Sequence, residues 1–184
     1  MTRVTWDGGT AYEMILDARC DASPTVVYDV LADPSTHLDW GGRRQHRGFR
    51  LTALEAAGPM QAGSKFTSVG TIPMSMSRWE DSSVVVHAEP PRVLEFHTDG
   101  LVAWPTGRQT RARWEHRYEI EADPAGSRVA YRLRRTAITN APLRMRLPVM
   151  RTLSHRVMIP LLCRRGFLNL LEAAEHPAGV TRVS

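Results

Sequence analysis

The chain has 184 residues, a length typical of one domain, and its 24 basic and 19 acidic side chains give a formal net charge of +5. Lys65 is the only lysine, so the basic character comes from arginine. Because the basic side chains are scattered and never form a block longer than a pair, the composition favours a solvated basic surface and argues against a nucleic-acid partner.

The two cysteines and the start of the chain bear on the cellular compartment. Cys20 and Cys163 form no CxxC motif and have no histidine at metal-ligand spacing, so we expect free thiols in a reducing environment and no metal or other cofactor. The first residues have no apolar core of signal-peptide length, and no segment approaches about 20 uninterrupted apolar residues. We therefore expect a cytoplasmic protein, with one domain over residues 1–184 and its core at about 10–176.

The chain begins with a predicted loose end at residues 1–10. A strand is predicted next, from Tyr12 to Cys20, because apolar side chains alternate with charged ones there. Only Ile15 breaks this alternation. The pattern is typical of a strand with one covered face and one face in water.

Two short helices are predicted after this strand. The first begins with Ser23 as its N-cap and with Pro24 in the first turn, where the missing N–H of proline costs nothing. The second is expected to run from Pro34 to Trp40 and to stop at the glycine pair 41–42.

Six more strands are expected before the C-terminal region. The strand-like runs are 51–57, 64–72, 82–88, 93–98, 109–122 and 128–139. Turn residues separate them, including Gly58-Pro59, Pro90-Pro91, Asp99-Gly100 and Asp123-Pro124. Short strands joined by short turns predict an antiparallel meander rather than parallel βαβ units.

The last two of these strands have the clearest faces. The apolar face consists of Ala112, Trp114, His116, Tyr118 and Ile120 on the first strand and Val129, Tyr131 and Leu133 on the second. The opposite face of both strands carries arginine and glutamate. We expect these charges to lie in water and to pair across the strands.

The C-terminal region is predicted to be a long apolar helix. Its stripe at nearly helical spacing is Leu147, Met150, Ser154, Val157, Leu161, Leu168 and Leu171, and it is widened by Met158, Leu162 and Phe167. Pro148 and Pro160 predict a short lead-in and a main helix that starts or kinks near Pro160. A sheet that must cover one long helix curls around it, so the whole pattern predicts an α+β fold with an internal cavity.

Three stretches resemble the START-like (SRPBCC, helix-grip) superfamily. Residues 21–34, from Asp-Ala-Ser-Pro to Ala-Asp-Pro, together with Trp40, resemble its strand-to-helix opening. Residues 88–96, Ala-Glu-Pro-Pro-Arg-Val-Leu-Glu-Phe, look like its mid-sheet hairpin, and residues 165–172 are similar to the tail of its closing helix. With the order of elements, the resemblance covers about residues 10–176.

The resemblance implies a curved antiparallel sheet wrapped around a long C-terminal helix, with two short helices after the first strand. It also implies a deep cavity and no obligatory metal or cofactor. The superfamily includes lipid-transfer domains, polyketide cyclases and aromatases, plant hormone receptors and pollen allergens. The chain looks like a member of the polyketide cyclase/dehydrase type, but the fold alone does not select an activity.

His116 is the candidate for acid–base chemistry, since an imidazole on the inner face could exchange protons near neutral pH. A core histidine that hydrogen-bonds a neighbour is the commoner situation. No Ser-His-Asp or Cys-His arrangement can be assembled from the sequence. His37, Asp39 and distant His46 form a weak metal pattern that is better explained as a coincidence of loop residues.

Several side chains are candidates for the lining of a cavity. The tryptophans that fall where such a cavity would be lined or closed are Trp40, Trp79, Trp104 and Trp114. Trp114 fits a plain core equally well. Met74 and Met76, in a loop with Pro73, could adapt to varied apolar ligands. Arg78 could bind a ligand carboxylate, but the adjacent Glu80 and Asp81 favour an ion pair at the surface.

The leading hypothesis is a protein, monomer or homodimer, that binds a small apolar molecule such as a lipid, polyketide or aromatic metabolite. Burial of apolar surface would supply the affinity. The expected walls are Trp79, Phe96, Trp114, His116, Tyr118 and Tyr131 on the sheet and Met158, Leu161 and Leu162 on the helix.

Two alternatives remain open. One is an enzyme of the polyketide cyclase, aromatase or dehydratase type, in which His116 moves protons and Tyr118 or Arg78 steadies an enolate. The other is peripheral handling of lipids at a membrane surface through residues 143–151, which mix basic and apolar side chains. Packing of that segment on the sheet edge is the favoured explanation of its composition, and no stable membrane insertion is expected.

Overall fold

The computed structural model describes residues 1–6, 8–9, 11–45, 49–72, 77–141 and 147–176. These residues form an α+β fold, in which a curved, antiparallel, eight-stranded sheet accompanies a C-terminal helical segment of 28 residues. The strands are β1 Thr2–Trp6, β2 Tyr12–Cys20, β3 Arg50–Ala56, β4 Lys65–Thr71, β5 Arg78–Glu89, β6 Val93–Ala103, β7 Gln109–Asp123 and β8 Gly126–Thr139. Their order in the sheet is β1-β2-β8-β7-β6-β5-β4-β3, which confirms the predicted antiparallel sheet.

The prediction of a loose N-terminal end is wrong. Strand β1 pairs with β2 from Thr2 opposite Leu16 to Trp6 opposite Tyr12. Val4 and Trp6 pack against the core, so this short stretch has the same alternation as the longer strands. It also covers the free edge of β2, whose backbone groups would otherwise lack hydrogen-bond partners.

The two short helices follow β2, the second strand of the sheet. Helix α1 is Pro24–Ala32, and the side chain of Ser23 accepts a hydrogen bond from the amide of Val26, as an N-cap does. Helix α2 is Pro34–His37, capped by Asp33, and the chain continues in a wide π-helical turn, Leu38–Arg43. The predicted stop at residues 41–42 is therefore wrong, because both glycines lie inside this turn.

Two predicted strand ends in the middle of the sheet are also wrong. Strand β6 continues to Ala103 through the predicted turn, with Gly100 opposite Ala112 of β7. Strand β5 begins at Arg78 rather than at residue 82. Glycine at position 100 serves the packing on the inner face, as described below, rather than a reversal of the chain.

The predicted faces of β7 and β8 are confirmed. Tyr118, Ile120, Val129, Tyr131 and Leu133 are buried on the inner face. The outer face is charged, and its ion pairs cross between strands as expected: Arg117 to Glu95 (2.6 Å), Arg134 to Glu115 (3.3 Å) and Arg128 to Asp17 (2.9 Å).

The C-terminal segment is helical from residue 148 to residue 175. It consists of α3 Pro148–Leu153, a π-helical turn Ser154–Met158 and α4 Ile159–Glu175. Pro160 lies in the first turn of α4, where its missing N–H is tolerated. Within the ranges that the structure describes, this segment and the other helices are too short or too polar to cross a membrane.

The predicted apolar stripe of this segment is wrong at five of its seven positions, whereas Leu171 is buried as predicted. Leu147, Met150, Val157, Leu161 and Leu168 are all exposed, whereas the buried side chains include Phe167, Leu170, Leu171 and Ala174. The segment carries apolar residues around much of its circumference, and the π-helical turn shifts the phase of the helix before Pro160. Periodicity alone therefore could not select the buried side.

Candidate functional site

The inner face of the sheet has two parts that differ in packing. Over β2 and β8 it is closed by the C-terminal half of α4, and Met14, Val129 and Leu170 are each 0% exposed. Over β5 to β7 the inner face is buried at Val85 and Ile120 but partly accessible towards the other end of these strands. The partly exposed side chains there include Trp79, Asp81, Phe96, Trp114 and His116. We call these five residues the accessible row.

Four of the predicted sheet-side residues form one stacked aromatic group. The ring of Phe96 lies parallel to that of His116, with 4.5 Å between centroids, and the rings of Tyr118 and Tyr131 stack at the same distance. His116 Nδ1 is 2.9 Å from the hydroxyl oxygen of Tyr131, a hydrogen bond that joins the two stacks. Phe167 of α4 follows, 6.2 Å from Tyr131. The sequence therefore identified side chains that lie together.

The electrostatics of this aromatic group oppose proton transfer. Burial lowers the pKa of His116 to about 3, so the imidazole is neutral at physiological pH. Burial also raises the pKa of both tyrosine hydroxyls and raises the pKa of the nearby Cys163 thiol to about 12. At neutral pH the imidazole therefore does not take up a proton, and the hydroxyls and the thiol do not release theirs, whereas a general acid–base catalyst must do both.

Asp81 lies on the inner face of β5, so the predicted surface ion pair with Arg78 is wrong. On this strand Trp79, Asp81, Ser83 and Val85 alternate with exposed residues, and Arg78 and Glu80 are exposed. Burial raises the pKa of the Asp81 carboxyl to about 7. The period-two pattern was present in the sequence, but an acid within it was assigned to water by its residue type.

Arg135 is a second inward-facing charge that the sequence reasoning missed. It is 2% exposed and continues the buried positions 131 and 133 of β8. Its guanidinium donates to His155 Nε2 at 2.9 Å and lies 5.8 Å from the Tyr12 ring and 5.7 Å from the Trp114 ring. His155 Nδ1 donates to the carbonyl of Arg151 (2.8 Å), and its ring stacks on Trp6 at 4.4 Å. This cluster anchors the start of the helical segment to β1, β2 and β8.

Of the three residues predicted to line the helix side, one is buried. Leu162 is buried, and its carbonyl accepts from Gln45 Nε2 (3.4 Å), whereas Met158 and Leu161 are 39% and 46% exposed. Phe167, one and a half turns later, supplies the aromatic contact instead. The correction has the same cause as the misplaced stripe, namely an apolar helix whose buried side the sequence does not reveal.

The remaining candidates have local roles or lie elsewhere. Trp40 packs beside His37, with 4.7 Å between rings, and Trp104 Nε1 donates to Thr110 Oγ1 at 2.8 Å. In the part of the chain that the structure describes, no three His, Cys, Asp or Glu side chains are grouped to hold a metal ion. His46, Pro73, Met74 and Met76 lie outside the described residues.

Two depressions of the surface lie outside the accessible row. One, of about 350 Å³, is on the charged outer face, and the other, of about 60 Å³, is beside β3 and β4. The larger is lined by Glu13, Glu95, Glu115, Arg117, Glu119, Arg132 and Arg134. Opposed charges that already pair with each other line it, so the accessible row is the better candidate for a site.

The comparisons with known proteins support the fold and extend no further. No family model and no curated protein sequence matches the chain. A putative uncharacterized protein from Rhizobium leguminosarum is similar in structure, with a TM-score of 0.65 and 10% identity over 95% of this chain and 98% of that one. A protein from Rhizobium loti is also similar, with a TM-score of 0.60 and 15% identity over 89% of this chain and 96% of that one. A protein from Mycobacterium smegmatis has a TM-score of 0.55 and 14% identity over 97% of both chains.

Proposed function

We propose that the chain is a START-like, helix-grip protein that binds a small hydrophobic molecule, such as a lipid, polyketide or aromatic metabolite. The ligand would lie between the inner face of β5 to β7 and the C-terminal helical segment. The observation that carries this proposal is the accessible row, in which aromatic side chains on the inner face remain partly open to solvent. Partly open aromatic walls with a few polar groups are typical of small-molecule sites.

The packing of the two parts of the inner face supports this location. The part over β2 and β8 already has its apolar partner in α4, since Leu170 and Leu171 are buried there. Trp114 and Phe96 pack against the core but remain partly exposed. A ligand that covered them would remove apolar area from water, at about 25 cal/mol per Å² before the costs of ordering.

The first test is native mass spectrometry of the purified protein, followed by identification of small molecules released on denaturation. We expect an apolar adduct at stoichiometric amount. Titration with N-phenyl-1-naphthylamine, whose fluorescence rises in apolar surroundings, provides a second measurement. Absence of both the adduct and saturable dye binding would overturn the proposal.

A variant pair assigns any binding to the accessible row. Trp114→Leu removes ring surface from this row and should weaken dye binding about tenfold or more, the usual loss when a large aromatic contact is truncated. Val86→Ala, at an exposed position of β5, is the matched control and should bind as the wild type does. Equal affinity in both variants would place the binding site elsewhere.

An enzyme of the cyclase or dehydratase type is less well supported. Its proton-transfer residue would be His116, whose pKa is lowered by burial to about 3 and whose Nδ1 already faces the hydroxyl of Tyr131. A base this weak accepts a proton only with difficulty at neutral pH. If a substrate is found, full turnover by His116→Ala would exclude this role.

Peripheral contact with a membrane has one observation in its favour. The described part of the segment proposed for it carries Leu147, Val149 and Met150 at 58%, 78% and 40% exposure. Exposed apolar side chains beside arginines suit an anionic lipid surface. The expected result is co-sedimentation with anionic vesicles at low salt, lost in Val149→Asp and kept in the exposed control Val86→Asp. No co-sedimentation of the wild type would remove this option.

A further inference from the structure

Asp81 occupies an inward position where the neighbouring strands offer no charge. It pairs with Ser68 of β4 on one side and with Gly100 of β6 on the other. The next inward residue along β5 is Ser83, whose hydroxyl is 2.8 Å from that of Thr98. The surface of the sheet around the carboxylate therefore consists of small polar side chains and the backbone of a glycine.

Gly100 makes room for this carboxylate. A Cβ atom at position 100 would lie 2.7 Å from Asp81 Oδ1 and 3.7 Å from Trp114 Cδ1. The carboxylate and the edge of the Trp114 indole therefore converge over the backbone of β6. Because the φ angle of Gly100 is an ordinary one, steric room and not backbone conformation is what glycine supplies here.

A second glycine makes room for a second indole. A Cβ atom at Gly70 of β4 would lie 2.2 Å from the Trp79 ring, so this ring lies over β4. Trp114 lies over β6. Asp81 lies on β5, the strand between β4 and β6, two residues after Trp79 and on the same face. Trp79 Nε1 is buried and finds no hydrogen-bond partner among the described residues.

The carboxylate itself has no such partner among the described residues either. It forms no hydrogen bond or ion pair with them, and burial alone accounts for its raised pKa. Arg135, the inward-facing cation of β8, is engaged with His155 on the far side of Trp114. An ionised carboxylate in such surroundings is costly unless a cation or donors accompany it.

We propose that Asp81 binds the protonated nitrogen of a small hydrophobic amine, whose apolar body packs against Trp79 and Trp114. This inference rests on the proposed function and names the class of its ligand. The carboxylate would accept a charge-assisted hydrogen bond from the ammonium group. The indole faces attract cations and also cover apolar surface, so both parts of such a ligand would find a partner.

Other titratable groups on the inner face set the limits of any pH dependence. β4 and β6 place no titratable side chain opposite Asp81. Groups that face the interior from the other elements include Tyr12 and Cys20 on β2, Tyr28 on α1, His37 on α2, His116 and Tyr118 on β7, Tyr131 and Arg135 on β8, and His155 and Cys163 on the helical segment. Ionisation of Asp81 is therefore the titration that a bound amine near this strand would sense between pH 6 and pH 8.

Three probes with the same ring system and different head groups test the inference. They are 2-(1-naphthyl)ethylamine, 2-(1-naphthyl)ethanol and 1-naphthaleneacetic acid, a cation, a neutral molecule and an anion at pH 8. Calorimetric titration of the wild type should give an affinity for the amine about tenfold or more above that for the alcohol, the usual gain from one hydrogen bond between charged groups. The acid should bind more weakly than the alcohol.

Variants assign the preference to the carboxylate. Asp81→Asn should remove the preference for the amine and leave the affinity for the alcohol within about twofold, less than the tenfold step of one lost contact. Gly100→Ala should lower the preference, because its Cβ displaces the carboxylate without removing the charge. The matched control is Glu80→Gln, which neutralises the exposed neighbour on the outer face.

The outcomes separate this inference from the proposed function. Binding of the alcohol together with equal or weaker binding of the amine overturns the amine class and leaves the hydrophobic site in place. A preference for the amine that survives in Asp81→Asn also overturns it. Binding of none of the probes, with no binding of N-phenyl-1-naphthylamine, overturns both.

Discussion

The two parts of the inner face contain similarly large side chains but differ in how fully these side chains are buried. Over β2 and β8, large side chains meet the helix and are dry, as with Met14 and Leu170. Over β5 to β7, equally large side chains such as Trp79 and Trp114 remain partly accessible and share their face with an aspartate. Stability is thus concentrated where the helix closes on the sheet, and a protein built in this way can keep polar groups in the other part without losing its core.

Truncation in the closed part should have the largest effect. Leu170→Ala removes a side chain that is 0% exposed, and we expect a loss of about 2–5 kcal/mol in the free energy of unfolding. Val102→Ala, at a partly exposed inward position of β6, should cost about 1 kcal/mol or less. Urea unfolding followed by circular dichroism measures both. Similar losses at the two positions would contradict the division of the inner face.

Removal of the charge in the accessible part should stabilise the protein. The pKa of Asp81 is raised from 3.8 to about 7, so the folded state loses stability as the pH rises from about 4 through 7. Asp81→Asn should therefore be more stable than the wild type at pH 8, by about 1–3 kcal/mol, and close to it at pH 4.

The same urea experiment at several pH values measures this difference. Glu80→Gln is the control for removal of one negative charge from β5. The stability of Asp81→Asn relative to the wild type is compared at pH 8 and at pH 4. If this difference is the same at both pH values, the buried carboxylate is compensated by a partner. Gain of stability with loss of amine binding would mark Asp81 as a residue retained for function.

His116 should make the stability of the folded state sensitive to acid. Its pKa is lowered from 6.5 to about 3, so the unfolded chain takes up the proton first and stability falls as the pH drops from about 6.5 towards 3. The slope from one such group is about 1 kcal/mol per pH unit. His37, whose pKa is lowered to about 4, adds to it.

The variant His116→Gln should reduce this slope, since glutamine does not titrate and can still hydrogen-bond the Tyr131 hydroxyl. His87→Gln, at an exposed position of β5, is the control for replacing one histidine by glutamine. Unfolding free energies between pH 4 and pH 7 are the measurement. An unaltered slope in His116→Gln would show that the ring is hydrated rather than buried against Phe96.

The sequence was sufficient for the parts of the fold that depend on local pattern. Alternation placed the inner faces of β7 and β8 correctly, and Ser23 and Pro24 marked the start of α1. These features depend on side chains that are adjacent along one element. The shared inner face of His116, Tyr118 and Tyr131 follows from the same alternation, since neighbouring strands bring their inner faces together.

Features that depend on residues distant in the sequence could not be predicted from local patterns. The strand β1 exists because β2 offers it a free edge, and Gly100 lies inside a strand because Asp81 and Trp114 need the room. Asp81 and Arg135 were not recognised on the inner face because residue type was weighed above position in the alternation. On a helix with apolar residues on several sides, only the tertiary contacts select the buried side.

The smallest effect should occur on the side of the helix that the sequence assigned to the core. Val157 and Leu161 are 49% and 46% exposed. Val157→Ser and Leu161→Ser should each change the free energy of unfolding by no more than about 0.5 kcal/mol, as is usual for exposed positions. Leu171→Ser, on the buried side, is the matched comparison and should cost several times more.

The result also bears on what covers this exposed stripe. In the isolated chain Val157 and Leu161 contribute apolar surface that water must hydrate, so a serine there costs little and improves solubility. If the two serine variants instead destabilised the protein as much as Leu171→Ser does, the stripe would be covered in solution by a second copy of the chain. Sedimentation velocity on the wild type and on Leu161→Ser separates these cases, because only a self-associating stripe makes the sedimentation coefficient depend on residue 161.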